Sequence, residues 1–211
     1  MPLTYERANS VALFVQRKIV ALQREYVGKG PHASEARALL ARLRRLGMPG
    51  GASWISVGDD LFEGLLDLGL SGVEETRALR VVTVSLRLFA YHQQSKDHPM
   101  ALVRTSGAGQ PSRRSFGWSC RFVELDKDKA KAVRRRMAAI EGVRDLDGME
   151  HHMRALINLM REKDVCVDYY LLARDLYLVQ FPSMRDDVFM RWSRDYFTAT
   201  ADGDSAAVET D

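Results

Sequence analysis

The sequence contains side chains able to act as nucleophiles, bases or metal ligands, but their spacing does not assemble them. His151 and His152 are adjacent. On a helix they leave different sides, whereas residues four apart can share one zinc ion. His151 instead shares a helical face with Arg154, Asn158 and Arg161, which suits a polar or nucleic-acid-facing role. His92 and His98 flank a flexible stretch and read as ordinary surface histidines. Ser53 and Ser56 stand in a loop with no nucleophile elbow around them. GAGQ at Gly107 to Gln110 lacks the strand, lysine and helix of a phosphate loop. Asp59 and Asp60 are more simply helix caps than metal ligands. Cys120 and Cys166 match no metal or redox spacing and read as buried or idle thiols in a reducing, cytoplasmic compartment. We therefore expect no catalytic residue, no metal, no cofactor and no enzyme.

Positive charge is what the chain concentrates. DKDKAKAVRRRMAAI, Asp126 to Ile140, carries six cations and no carboxylate beyond Asp128. On a helix, Ala130, Val133, Met137 and Ile140 form one apolar seam. Lys127, Lys131, Arg134 and Arg135 fall on another side, and Lys129 and Arg136 flank the opposite edge of the seam. The formal net charge of +3 conceals the asymmetry: the last fourteen residues, TATADGDSAAVETD, hold four acids and no base, leaving +7 for the rest. Lys96 to Arg144 hold twelve cations against five carboxylates, also +7, so one quarter of the chain carries the basic excess of the body. A localised polyanion-facing surface follows from that distribution. Arg37, Arg44 and Arg45 share the second helix, Arg113 and Arg114 a loop, and Arg121 follows the tryptophan of SFGWSCRF. Arg154 and Arg161 extend the surface onto the helix after the arginine cluster. Arginine suits bidentate phosphate contact and stacking. An ion pair with Glu63 or Asp67 is the structural alternative for Arg44 or Arg45.

The elements that must position these cations read as helices almost throughout, with no strand pairing and no repeat. Val11, Val15, Ile19, Leu22 and Tyr26 form a stripe ending at Gly28, Gly30 and Pro31. Ser34 is placed to cap a second helix with Ala36, Leu40 and Leu43 inward and Gly47 as its stop. A short helix from Asp59 or Asp60 runs through Leu68. SGVE at Ser71 to Glu74 has capping-box form and opens a long helix to about Gln94. Ser95 to Ser112 read as a long mobile loop. Helices follow near Phe116 to Phe122, in the arginine-rich stretch, after a DGME cap at Asp147 to Glu150, from Asp168 to Gln180, and from about Met184 to Phe197. The fold class is all-α, a helical bundle of two packed lobes, residues 1–94 and 95–197. The acidic tail, 198–211, is expected to be disordered. No apolar run approaches the length of a membrane span.

Taken in order, ALLARLRRLG, the long helix ending FAYHQ, SFGWS, VRRRMAAI, HHMRALINLM, VDYYLLARDL and RWSRDYF resemble the CasB family. These are the small subunits of the type I-E CRISPR surveillance complex Cascade. The resemblance runs from about Ala38 to Tyr196. It implies a non-enzymatic antiviral-defence subunit that sits as a pair against the backbone subunits and the large subunit. There it would help hold DNA opened by crRNA pairing, contacting the crRNA–target heteroduplex and the displaced single strand through basic residues. The matching positions are Arg44, Arg45, Arg134, Arg135 and Arg154, and the basic loop with SFGWS matches the region that approaches nucleic acid. The full set of expected nucleic-acid contacts adds Arg113, Arg114, Arg121, Lys127 and Lys131. Sequence-neutral phosphate attraction suffices for such a role, because guide pairing reads the sequence. Two other readings compete: a helix-turn-helix regulator, which would carry Asn, Gln or Ser for base contacts that AKAVRRRMAAI lacks, and a helical adaptor binding only protein.

Overall fold

The computed structural model describes residues 2–103, 114–126 and 128–199. They form α1 (Pro2–Val27), α2 (Ala33–Arg45), α3 (Gly58–Phe62), α4 (Gly72–His92), α5 (Phe116–Val123), α6 (Lys131–Gly142), α7 (Leu146–Glu162), α8 (Tyr169–Leu178) and α9 (Pro182–Thr198). The fold is all-α. Among the described residues the only β-type pairing is a single parallel bridge between Ala101 and Val167. No helix among them is long and apolar enough to cross a membrane.

α4 is the central helix. Six consecutive residues, Val81 to Leu86, are all buried, so neighbours surround it on every side. α7 and α8 pack on it, as do α1 and α2, and α1 in turn packs along α8. One buried apolar cluster runs from Ala8 on α1 to Tyr196 on α9. Each fully buried Val or Leu contributes about 1.5–3 kcal/mol, so substituting alanine in the middle of α4 would open a cavity at the centre of the protein. Chain order puts residue 94 just after α4, with α1 and α4 packed on helices from beyond it.

Several helix ends follow local chemistry. Ser71 and Glu74 complete the capping box of α4. The Asp168 carboxylate accepts from the Leu171 N–H at 3.0 Å. Pro182 occupies the first turn of α9, where its missing N–H is no loss. Other ends differ from the sequence reading. α2 starts at Ala33 with His32 at the cap position and no side-chain cap; Ser34 falls inside the first turn, because the turn after Gly30 already donates the Ala33 N–H to the Gly30 carbonyl. Asp145, not Asp147, caps α7 by accepting from the Gly148 N–H at 2.8 Å. The helix expected from Asp59 to Leu68 breaks after Phe62, where Gly64 takes φ +78°, and resumes only as a 3₁₀ turn at Leu66–Leu68.

Two further expectations fail for reasons of long-range packing. His92 is fully buried rather than at the surface. Its ring nitrogens lie 3.0 Å from the Val165 carbonyl and 3.2 Å from the Tyr169 hydroxyl, and burial drives its pKa down to about 3. The described start of the loop expected to be mobile is pinned. Gln93 binds the Lys96 and His98 carbonyls and the Met100 N–H, Lys96 and His98 both reach Asp164, and Gln23 of α1 clamps the Ala101 backbone. The rest of that loop and the tail from Thr200 lie outside the described residues.

Candidate nucleic-acid interface

The partners of the cations separate them into two kinds. One kind meets carboxylates. Arg42 pairs with Asp60 at 3.4 Å, Arg87 with Glu150 at 3.1 Å and Lys129 with Asp126 at 3.3 Å. Arg191 and Arg174 converge on Asp175, which is fully buried and also accepts from the Trp192 indole at 2.7 Å. Burial raises the Asp175 pKa, and the two arginines oppose that shift. These charges cancel locally and serve the fold.

The second kind is held by neutral oxygens rather than by carboxylates. Tyr91, on the last turn of α4, gathers three arginines of this kind. Its hydroxyl donates to the Arg44 carbonyl at 2.7 Å, and the Arg44 guanidinium donates to the Ala90 carbonyl at 3.0 Å. From α7, Arg154 donates to the Tyr91 hydroxyl at 3.3 Å, with its guanidinium 5.3 Å from the ring centroid. One turn-pair further along, Arg161 donates to the Tyr91 carbonyl and to Gln94 Oε1, both at 3.2 Å. A guanidinium has five N–H donors, so one or two anchoring bonds leave others for a phosphate. Burial lowers the Arg44 pKa, and the nearby Arg161 charge adds to that effect. Burial raises the Glu150 carboxyl on α7 to about 7, and the charges of Arg87 and Arg154 oppose that shift.

α6 carries the second group. Its seam is as expected at Ala130, Val133 and Ile140, all buried, while Met137 is only partly covered. Ala130 at the cap position offers no side-chain acceptor, and no acid stands in the first turn. Lysine at this end works against the helix dipole, a local conflict that is characteristic of functional surfaces. Lys131 and Arg135 are exposed, with no hydrogen-bond or ion-pair partner among the described residues. Arg134 is half-buried and lines a cleft of about 340 Å³ together with Arg121, Asp128, Tyr196 and Phe197. Arg136 returns to the Ala132 carbonyl at 3.3 Å.

α5 is positioned by the SFGWS stretch. Ser115 accepts from the Trp118 N–H at 3.4 Å as the cap. A Cβ on Gly117 would stand 2.0 Å from the Trp192 carbonyl oxygen, so only glycine lets α5 approach α9 this closely. Phe116 then packs on Trp192 with ring centroids 5.1 Å apart, while Trp118 stacks on Phe122 at 4.3 Å and has the Arg114 guanidinium 5.4 Å from its ring. Arg121 closes the carboxy-terminal end of α5 by donating to the Glu124 and Leu125 carbonyls at 2.8 and 2.9 Å.

The expected contacts therefore fall into separate groups. Arg44 and Arg154 meet at Tyr91, and Arg121 and Arg134 share one cleft. Arg45 turns away to the Gly50 carbonyl at 3.1 Å, beside a cleft that also includes Arg42, Ser53 and Ser56. Neither Arg44 nor Arg45 pairs with Glu63 or Asp67; the carbonyls of Ala90 and Gly50 take their place. Arg113 and Lys127 lie outside the described residues. Tyr91, the residue that organises the first group, was not among the expected contacts, although it stands in the FAYHQ ending of the long helix. The histidine rings of α7 lie 5.3 Å apart, His151 exposed and His152 half-buried, and no group of three or more His, Cys, Asp or Glu side chains fit to hold a metal forms among the described residues.

Comparison with known proteins agrees with this architecture. No curated protein sequence matches the chain significantly. The fold is similar to the crystal structure of CasB from Thermobifida fusca, with a TM-score of 0.72, 24% identity, and coverage of 88% of this chain and 97% of that one. The sequence profile of the CRISPR-associated protein Cse2 family matches residues 39–197, nearly the span over which the motifs run. With that match extending from the middle of α2 to the end of α9, the chain belongs to the CRISPR-associated protein Cse2 family.

Proposed function

We propose that this chain is a non-catalytic subunit of a crRNA-guided type I-E Cascade complex, acting in the cytoplasm as a sequence-neutral brace for opened target DNA. The observation that carries the proposal is the gathering of three guanidinium groups at the end of α4 on neutral acceptors: Arg44 on the Ala90 carbonyl, Arg154 on the Tyr91 hydroxyl and Arg161 on the Tyr91 carbonyl. Charges held in place but not cancelled suit a phosphate backbone, whose contacts position a strand without reading bases. Lys131 and Arg135 add exposed positive charge on α6, and the half-buried Trp118 beside Arg114 adds a surface on which an unpaired base can stack. Exchange of a DNA duplex for a guide heteroduplex is nearly balanced, so a few backbone contacts suffice to tip it. The partners under this reading are a second copy of the chain, the backbone and large subunits, the crRNA–target heteroduplex and the displaced strand. The test uses complexes reconstituted with guide RNA and either the wild-type chain or Arg154→Ala/Arg161→Ala. Permanganate reactivity of thymines in the displaced strand should decay faster with the variant, at unchanged guide loading. An equally persistent bubble with a folded, incorporated variant overturns the reading.

A further inference from the structure

Between α6 and the last turns of α9 runs a groove that no described element fills. Met137, Ala138 and Glu141 form part of one wall, and Trp192, Tyr196 and Phe197 part of the other. Toward the start of α6 it opens into the cleft shared by Arg121 and Arg134, with Asp128 the one acid at its rim. Phe197 borders both spaces and is 70% exposed, its ring in edge contact only with Tyr196 among the aromatic rings of the described residues. The cationic residues Lys131 and Arg135 stand on the same side of α6 as Arg134.

We infer that the acidic carboxy-terminal segment, Thr200 to Asp211, docks along this groove and competes with nucleic-acid backbone for α6. Three observations point to this occupant. The first is where the segment starts: α9 ends at Thr198, one residue past Phe197, so the chain leaves the fold at the mouth of the cleft. The second is charge: Asp202, Asp204, Glu209 and Asp211 come with no base between them, and α6 carries exposed Lys131 and Arg135 with no acid in its first turn. The third is reach. From Ala199 to Asp204 an extended chain spans roughly 17 Å, close to the roughly 18 Å axis of α6. Ala206, Ala207 and Val208 then supply apolar side chains for the aromatic wall. A tether this short keeps the acids at a local concentration on the order of millimolar, enough to make weak contacts count. Acidic carboxy-terminal runs commonly act as interaction tails, and here the interaction is with the chain's own basic helix.

The competition rests on the proposed nucleic-acid role of α6; the docking does not, and the experiment separates them. Backbone amide NMR spectra are compared for the full chain and for Asp202→Asn/Asp204→Asn/Glu209→Gln/Asp211→Asn at low salt. Docking predicts shifts confined to α6 and the end of α9, with Lys131, Arg135 and Phe197 among them. The shifts should disappear in 1 M salt, where screening shortens to about 3 Å. They should also be absent when the same tail change is made in Lys131→Glu/Arg135→Glu. Spectra identical at low salt overturn the inference outright. In parallel, fluorescence anisotropy with an oligo(dT) probe should show severalfold tighter binding by the neutral-tail chain at low salt. Localised shifts with unchanged probe affinity overturn the competition and remove α6 from the nucleic-acid surface. Localised shifts with no probe binding by either chain overturn the nucleic-acid reading and the competition, and leave the docking standing.

Discussion

Replacing Arg154 and Arg161 with alanine separates a structural role from a phosphate-binding one, because the geometry gives a different magnitude for each. Together the two side chains make three hydrogen bonds to neutral acceptors, two on Tyr91 of α4 and one on Gln94 just beyond it, plus one ring contact with Tyr91. Partly exposed bonds of this kind contribute about 0.5–1 kcal/mol each, so the double variant should lose roughly 2 kcal/mol. In a chain of this size that lowers the melting temperature by about 4–8 °C. If each arginine also neutralises one phosphate of a single strand, the slope of log affinity against log salt falls by about 1.4 in magnitude. At 0.1 M salt the same relation makes binding to an oligo(dT) probe about 25-fold weaker, with the gap closing toward 1 M. The assay is anisotropy across a salt series on protein shown by circular dichroism to be folded at the working temperature. A lower melting point with an unchanged salt slope would refute the phosphate role and leave these arginines as struts between α7 and α4.

Other perturbations test the remaining geometry. Gly117→Ala should destabilise by about 1–3 kcal/mol through overpacking of α5 on the Trp192 backbone, and a wild-type thermal melt would show that the two helices do not approach this closely. Glu150 has a folded pKa of about 7 against 4.5 for the ordinary side chain. Between those values the folded protein holds a proton that the unfolded chain has lost, so stability falls as pH rises through that window and is flat outside it. The change is on the order of 3 kcal/mol, and chemical denaturation of the wild type should show this slope while Glu150→Gln lacks it. His92 behaves in the opposite sense: its folded pKa of about 3 lies below the ordinary 6.5, so the folded state loses stability as pH falls through that range. The His92 imidazole resonances should stay in their neutral position at pH 5, and a midpoint near 6.5 would contradict its burial.

How much could be read in advance depended on sequence distance. The box at Ser71 and Glu74 involves residues three apart and was legible; Asp168 was read as the start of a helix, and its carboxylate caps that helix. The apolar seam of α6 was legible for the same reason, since periodicity reports a face without needing its partner. The cap of α7 was read at Asp147, but the folded protein uses Asp145 two residues earlier, in a segment where Arg185 of α9 binds the carbonyls of Glu141 and Val143. His92 read as a surface residue because its partners, Val165 and Tyr169, lie more than seventy residues away. The candidate site follows the same rule. Positive charge on α2, α6 and α7 was plain from composition, but Tyr91 is 47 residues from Arg44 and 63 from Arg154, and no local pattern could show them converging. Nor does sequence tell an arginine bound to a neutral oxygen from one bound to a carboxylate, which is the distinction that separates Arg44 and Arg154 from Arg42 and Arg87.

The anchoring of arginines on backbone oxygens has a consequence for how a flexible strand is captured. A free arginine has about 2 kcal/mol of rotamer entropy, some of which is lost when a ligand immobilises it. Arg44, Arg154 and Arg161 have already lost much of that freedom on folding, because carbonyls and a tyrosine ring fix their directions before any ligand arrives. The entropic cost of capture then falls mainly on the nucleic acid, saving about 0.5–1.5 kcal/mol for each side chain that need not be immobilised. Such a surface engages a strand that is already extended more readily than one that is coiled. Under the proposed function, a strand splayed out by guide pairing is an extended ligand of that kind, and these cations are expected to hold it more firmly than a free oligonucleotide.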